Sequence, residues 1–379
     1  MDILNKPASS ATATPGAGAT TISVADATAA PDVEVASASP DPTADADTGA
    51  GAVAAPAADV PDAETVLAPV VGETARIAAA SAAQWPVPPR HGSVRALSKT
   101  GFHRIAYTEW GDPNAEQVTV CVHGLSRQGR DFDRVAHALA QTGRRVLCPD
   151  LAGRGQSGRL RDPEDYALPQ YCADMAALIA RTGARRVEWV GTSLGGLIGI
   201  LLAGQPDSPI ERLLLNDIGP FLPWSALNRL GGNLRHAPTH FDDMAAAVAY
   251  FRDTLAPFGA LSDDEWEHLA RHSVVEAEDG GLGLHWDPGI ARAFRPGLFY
   301  NLSVWNYWDA IRCPVMLIRG ETSDLLLTST TGEMMRRGPR AEVVEILDTG
   351  HAPALLNREQ IALVVDWLVR QRAAAAAAP

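Results

Sequence analysis

The chain has 379 residues, of which 46% are hydrophobic and 20% are charged, so it can bury a large core. Its formal net charge is −13, and residues 1–84 hold eleven acidic residues against two basic ones. The rest of the chain is therefore nearly balanced, and the acidic character belongs to the N-terminal segment. This distribution argues against nucleic acid as a partner, because a basic patch of the usual kind is missing.

Residues 1–86 form an Ala-, Pro- and Asp-rich tail that is poor in large apolar side chains. Such a segment cannot offset the entropy cost of ordering, so we expect it to be disordered. Its first residues do not combine a basic start with an apolar stretch, which disfavours a secretory signal. The sequence also has no apolar run long enough to span a bilayer. We therefore expect a cytoplasmic protein without a membrane partner.

After the tail, strand-like and helix-like patterns alternate. Residues 93–97 and 104–110 alternate polar and apolar side chains and predict an antiparallel hairpin. Short apolar runs then alternate with helical periodicity, at residues 117–122, 145–148, 187–190, 213–215, 315–318 and 343–347. This order predicts an α/β fold with a mainly parallel sheet covered by helices on both faces. We assign residues 87–220 and 307–373 to this core.

Residues 221–306 interrupt the alternation. They contain helical patterns, such as those at 241–255 and 262–272, and no strand-like run. We predict a helical cap inserted between two strands of the core. Because sites in parallel sheets lie at the carboxyl ends of the strands, such a cap would cover the site and select its substrate.

The sequence Gly191-Thr192-Ser193-Leu194-Gly195 follows an apolar strand and begins a helical run. A strand, a serine in a sharp turn and a helix together indicate a Gly-x-Ser-x-Gly nucleophile elbow. The serine is held in a strained conformation that exposes its hydroxyl, and the glycines allow the strand and helix to pack closely. Ser193 is therefore the predicted nucleophile.

A serine hydroxyl needs a base to accept its proton and a third group to orient that base. His351 is the candidate base, since its loop follows a late strand and precedes the last helix. Asp324 follows the strand before it and gives the chain order Ser, Asp, His, so it is the preferred acid. Asp217, at the end of an earlier strand, is the alternative, and Glu321 is a third candidate.

The reaction also needs N–H donors for a developing oxyanion. The backbone N–H of Leu194, directly after the nucleophile, is the first candidate. The second is the N–H of Leu125, in the loop that follows His123 and Gly124. We expect His123 itself to have a structural role in shaping this loop.

These motifs resemble the α/β-hydrolase superfamily, and specifically its capped serine-hydrolase branch of esterases and C–C hydrolases. The resemblance covers about residues 90–372 and rests on the His123-Gly124 loop, the 153–158 glycine turn, the elbow, Ser323-Asp324 and Gly350-His351. It implies an eight-stranded sheet and an acyl-enzyme mechanism with a small-molecule ester and water. It also implies that the reaction uses no cofactor and no metal.

Within this superfamily, dehalogenases and epoxide hydrolases have an aspartate where Ser193 stands. Leu125-Ser126-Arg127 also departs from the glycine-rich loops typical of hormone-sensitive-type esterases and of C–C hydrolases. We therefore predict hydrolysis of a carboxylic ester with a small to medium apolar acyl or aryl group, or of a lactone. The alternatives are a C–C bond hydrolase of ring-fission products and a catalytically silent binding protein of the same fold.

Aromatic residues are concentrated in the cap and at its exit. They suggest an apolar substrate, although aromatic residues in a small helical layer also form core. The candidate pocket residues are Trp224, Tyr300, Trp305 and Trp308.

Overall fold

The computed structural model describes residues 87–278, 280–294 and 300–376; the predicted tail, residues 1–86, lies outside them. The strands are β1 (Arg90–Ser98), β2 (Gly101–Trp110), β3 (Val118–Val122), β4 (Arg145–Pro149), β5 (Val187–Thr192), β6 (Ile210–Asn216), β7 (Phe221–Leu222), β8 (Val274–Glu276), β9 (Leu282–Leu284), β10 (Leu302–Ser303), β11 (Val315–Gly320) and β12 (Glu342–Ile346).

The α-helices are α1 (Asp133–Ala140), α2 (Leu168–Thr182), α3 (Leu194–Ala203), α4 (Trp224–Arg235), α5 (Met244–Thr254), α6 (Asp263–Ser273), α7 (Gly289–Ala293), α8 (Trp305–Ala310), α9 (Thr328–Arg336) and α10 (Arg358–Ala376). Within the described part of the chain, no helix has both the length and the apolar character needed to cross a membrane.

Eight strands form one sheet in the order β1-β2-β4-β3-β5-β6-β11-β12. β1 pairs with β2, and β2 with β4, in antiparallel orientation, and the remaining neighbours are parallel. This arrangement confirms the predicted α/β class, the mainly parallel sheet and the leading hairpin. β5, β6, β11 and β12 all point the same way, so the loops at their carboxyl ends meet along one edge.

The central strands of the sheet are buried on both faces, as their side chains alternate between two apolar clusters. On β3, Val120 and Val122 belong to one cluster and Cys121 to the other. The first cluster includes Met175 of α2, and the second includes Leu368 of α10. Helices on both faces therefore exclude water from the strands, which explains why these strands are continuous apolar runs.

The segment between β6 and β11 contains α4 to α8 and two short antiparallel strand pairs, so it is not purely helical as its sequence pattern suggested. β7 pairs with β10, which joins the beginning of the insertion to its end. β8 pairs with β9 farther along the same segment. Arg134 of α1 also bonds to Glu265 of α6 at 2.6 Å, which connects this segment to the core.

A buried ion network joins the central strands near the ends of β5 and β6 that lie away from Ser193. The carboxylate of Glu188, on β5, is completely buried and accepts hydrogen bonds from Arg144 at 2.8 and 3.1 Å and from Arg212 at 2.8 Å. Thr119 on β3 donates to the same carboxylate at 2.7 Å. One carboxylate therefore compensates two guanidinium groups that have little access to water.

We predict that Glu188→Ala lowers the free energy of unfolding by about 3–5 kcal/mol, because it leaves buried arginines without their counter-ion. Glu211→Ala, on the neighbouring strand, removes a hydrogen bond with Gln117 and should cost about 1 kcal/mol or less. Urea denaturation of both variants measures the difference. Equal losses would show that the network contributes no more than a surface contact.

Candidate active site

Ser193 lies in the turn between β5 and α3, with φ of 51° and ψ of −117°. A non-glycine residue in this left-handed region is strained, and its neighbours hold it there. A Cβ atom on Gly195 would collide with the Val122 carbonyl, and one on Gly191 would lie 2.5 Å from the backbone of Gly195. The glycines of the motif are therefore required for the close packing of β5, α3 and β3 around the serine.

The structure brings Ser193 together with His351 and Asp217. His351 Nε2 lies 2.9 Å from Ser193 Oγ, and His351 Nδ1 lies 2.7 Å from Asp217 Oδ2. The imidazole side chain is 7% exposed and the Asp217 side chain is fully buried. Because a carboxylate only accepts hydrogen bonds, Nδ1 carries the ring proton and Nε2 faces the serine as an acceptor. This geometry allows His351 to take the proton of Ser193.

Asp217 is fixed by contacts on both of its carboxylate oxygens. The N–H of Gly320 donates to Oδ1 at 2.8 Å, and Ser323 Oγ donates to Oδ2 at 2.5 Å. The backbone N–H of Asp217 in turn donates to the Ile318 carbonyl at 2.8 Å. Residues from the end of β11 thus hold an aspartate that follows β6. Ser323 is a positioning residue that the sequence analysis noted only as part of the Ser-Asp motif.

The preference for Asp324 as the partner of His351 needs correction. The Asp324 side chain is 49% exposed, and its carboxylate is held by Arg229 of α4 at 2.6 and 2.7 Å. Burial raises the pKa of Asp324, but the hydrogen bonds and charge of Arg229 outweigh it and leave the pKa below its usual value. Asp217 already occupies the position beside the imidazole, so Asp324 is free to pair with the cap.

His123 holds the loop next to the nucleophile. The N–H of Leu151 donates to His123 Nε2 at 2.9 Å, so Nδ1 carries the proton and donates to the Gly124 carbonyl at 2.7 Å. Complete burial lowers the pKa of His123 to about 3, and the ring is neutral at pH 7. Both ring nitrogens are thus used by the backbone, which agrees with the structural role expected from the sequence.

The candidate oxyanion donors lie next to the serine. A Cβ placed on Gly124 would lie 3.6 Å from Ser193 Cβ, so the loop that carries Leu125 runs alongside the nucleophile. Leu194 is the first residue of α3, where backbone N–H groups lack partners within the helix. The fully buried Arg154 holds the loop by donating to the Leu125 carbonyl at 2.9 Å. The sequence analysis used the turn containing Arg154 only as one motif of the family resemblance and did not identify this contact.

Two cavities meet at Ser193. The first, of about 100 Å³, is called the arginine cavity, and its lining includes Ser193, His351, Arg127, Arg229, Asn233, Tyr250, Phe251, Phe258 and Trp286. The second, of about 250 Å³, is called the leucine cavity, and its lining includes Leu125, Ser193, Leu194, Leu197, Leu227, Leu230, Ile218, Ile290 and Phe294. Together they fall near the lower end of the roughly 300–1,000 Å³ typical of small-molecule sites.

The four aromatic residues predicted for the pocket lie elsewhere. Trp308 is fully buried and donates its Nε1–H to the Arg337 carbonyl at 3.0 Å, so it belongs to the core. The Cζ atom of Arg337 lies over the Trp305 ring, 4.4 Å from the ring centre. Tyr300 is 76% exposed, and neither it nor Trp224 is among the described residues that line the two cavities. Composition located aromatic residues in the cap, but it could not show which of them face Ser193.

Comparison with known proteins identifies the family of this chain. The alpha/beta hydrolase family matches residues 119–366. The chain belongs to the alpha/beta hydrolase family. This confirms the resemblance expected from the sequence motifs.

Relatives of this alpha/beta hydrolase include proteins named as an oligomer hydrolase and as an esterase. It is 46% identical over 287 residues to a 3-hydroxybutyrate-oligomer hydrolase of Cupriavidus necator, covering 74% of this chain and 97% of the relative. It is 29% identical to Esterase Rv0045c of Mycobacterium tuberculosis, and the match covers 69% of this chain and 85% of the esterase. An alpha/beta hydrolase structure from Novosphingobium aromaticivorans matches with a TM-score of 0.67 and 32% identity. The match covers 76% of this chain and 100% of that structure's chain.

We predict that Asp217→Asn slows the labelling of Ser193 by a fluorophosphonate by about 10³- to 10⁴-fold, because the imidazole loses the carboxylate that orients it. Asp324→Asn should slow labelling less than about tenfold, since its carboxylate contacts Arg229. Gel fluorescence against time measures both rates, with circular dichroism as the check on folding. A larger loss in Asp324→Asn would restore Asp324 as the orienting acid.

Proposed function

We propose that this protein is a serine ester hydrolase that forms an acyl-enzyme on Ser193. The observation that carries the proposal is the continuous set of hydrogen bonds from Ser193 Oγ through His351 to the buried Asp217. The names of the two relatives, an oligomer hydrolase and an esterase, support the same reaction class. The family alone would not, because this fold also hosts other reactions.

In the first half-reaction, Ser193 Oγ attacks the ester carbonyl carbon while His351 Nε2 takes its proton. Asp217 keeps the imidazole in position and stabilises the imidazolium that forms. The N–H groups of Leu194 and Leu125 stabilise the oxyanion, each contributing about 3–4 kcal/mol if it resembles other oxyanion donors. His351 then gives its proton to the leaving oxygen, the alcohol departs, and the acyl group remains on Ser193.

In the second half-reaction, water replaces the alcohol. His351 Nε2 takes a proton from water as the water oxygen attacks the acyl carbon. The bond to Ser193 Oγ breaks, and the proton returns to the serine. The products are a carboxylic acid and the regenerated hydroxyl. His351 thus accepts and returns the proton in both half-reactions, and water supplies the oxygen of the new carboxylic acid.

For the substrate, we propose short linear oligoesters of small hydroxy acids, such as 3-hydroxybutyrate oligomers. The 46% identical relative, which this chain matches over 97% of that relative's length, is named for this substrate. The two cavities on either side of Ser193 suit an ester with a group on each side. The volume of the leucine cavity, about 250 Å³, suits a short apolar acyl chain.

The test compares the full chain on a 3-hydroxybutyrate trimer, on p-nitrophenyl butyrate and on a vinylogous dienoate ring-fission product. We expect hydrolysis of both esters, no turnover of the dienoate, and loss of activity by about 10⁶-fold in Ser193→Ala. Turnover of the dienoate alone would replace the proposal with C–C hydrolysis. A folded protein that hydrolyses none of the three and resists fluorophosphonate would indicate a binding protein.

A further inference from the structure

We propose that Arg127 and Arg229 bind a free carboxylate on the alcohol side of the ester, so that the enzyme removes the carboxyl-terminal hydroxy acid of an oligoester. This inference rests on the proposed ester hydrolysis and goes beyond it, because it specifies the charge of the substrate and the bond that is cut. Three features of the site support it: the contacts that hold the two arginines, the lining of their cavity, and the position of His351 in that cavity.

Arg127 belongs to the loop that approaches the nucleophile. A Cβ on Gly124 would lie within 4 Å of both Arg127 Cγ and Ser193 Cβ, so the arginine stem runs beside the serine. Its Nε and Nη2 atoms donate to Asp131 at 2.8 Å each, and its guanidinium lies 5.5 Å from the centre of the Phe251 ring. One edge of the planar group is thus fixed by a carboxylate, and the edge with Nη1 is left for another acceptor.

Arg229 is held in the same manner from the cap. Its Nε and Nη2 atoms donate to Asp324, which leaves its Nη1 edge available in the cavity wall. The Arg229 side chain is 39% exposed, so an anion can reach its guanidinium without moving other side chains. An arginine that is already oriented loses less side-chain entropy when it binds a carboxylate. Asp324, which is not the partner of His351, therefore has a proposed role in positioning Arg229.

The lining of the arginine cavity favours an anion. Among its described lining residues there are two guanidinium groups and no Asp or Glu. Asp131 and Asp324 bond to the arginines but are not part of the lining. The described lining of the leucine cavity contains no Arg, Lys, Asp or Glu, and Ser193 is shared between the two cavities. A substrate with a carboxylate at one end and an apolar acyl chain at the other matches this asymmetry.

His351 sets the direction of the substrate. The imidazole lines the arginine cavity and is not among the described residues of the leucine cavity. Because His351 Nε2 must protonate the leaving oxygen, the alcohol side of the ester lies in the arginine cavity. As the Ser193 Oγ–acyl bond forms, the bond between the acyl carbon and the leaving oxygen breaks, and that oxygen takes the proton. The released alcohol is then a hydroxy acid with its carboxylate between the arginines.

The first test uses the unaltered enzyme. A 3-hydroxybutyrate tetramer is labelled with ¹³C in its carboxyl-terminal unit, and early products are analysed by mass spectrometry. We expect labelled monomer together with unlabelled trimer. A second substrate, the trimer with its carboxylate converted to a carboxamide, should have a kcat/KM about tenfold or more below that of the free acid, because a charge-assisted contact is lost. Unlabelled monomer with labelled trimer, or equal kcat/KM values, would overturn the proposal.

The second test uses variants. Arg229→Gln and Arg127→Gln should each raise KM for the free acid by about tenfold, change kcat by less, and reduce the preference for acid over amide. Arg235→Gln is the matched control, because Arg235 is on the same helix and is exposed outside the cavity lining. An unchanged preference in both cavity variants would contradict the role of the arginines.

The double variant Arg229→Gln/Asp324→Asn separates recognition from repulsion by an unpaired Asp324. If repulsion by Asp324 lowered the preference for the acid over the amide in Arg229→Gln, removal of the Asp324 carboxylate would restore that preference. This result would refute binding of the substrate carboxylate by Arg229. We expect the preference to remain low. Failure of the ester hydrolase itself is distinguishable, because the tetramer, the amide and p-nitrophenyl butyrate would then all remain intact.

Discussion

The hydrogen bond between His351 Nδ1 and the buried Asp217 is the contact on which the site depends. It fixes which ring nitrogen carries the proton, and therefore which nitrogen faces Ser193. The contact requires three separate strand ends to meet, since Asp217 follows β6, its partner Gly320 ends β11, and His351 follows β12. The parallel pairing of these strands brings the groups together, so the fold itself determines the geometry of the base.

The cap gives the site its two different sides. Consecutive residues of α4 line the cavities, with Arg229 facing the arginine cavity and Leu230 contributing to both. The core supplies a complementary pair, because Leu125 lines both cavities and Arg127 lines the one that His351 faces. The two arginines therefore line only one of the two cavities, and the ester is expected to extend from that cavity into the other. In the proposed binding mode, residues of the cap and of the core select the substrate together.

The sequence predicted those parts of the molecule that depend on local patterns. The apolar runs indicated the strands, and the glycines around Ser193 identified the elbow, because close packing there excludes any side chain. The acid was harder to assign, since Asp217 and Asp324 both follow strand ends. What separates them is a contact between Asp324 and Arg229, which lie 95 residues apart in the chain.

The cap shows a second limit of local patterns. Helical periodicity can indicate a helix, but in a small layer it does not reveal which face meets the core and which meets a cavity. Trp308 packs completely in the core, whereas Trp286, which has no distinguishing local signal, lines the arginine cavity. Tertiary packing of the insertion on the sheet decides between these outcomes, and no single segment contains that information.

The acyl group on Ser193 is the central feature of the proposed reaction, and rapid-quench mass spectrometry of proteolytic peptides tests it most directly. The protein is mixed with p-nitrophenyl butyrate, stopped in acid within milliseconds and digested. We expect an added butyryl mass that maps to Ser193, forms with a burst of nitrophenol and disappears as butyrate is released. Continuous nitrophenol release without an adduct at Ser193, or an adduct on another residue, would contradict it.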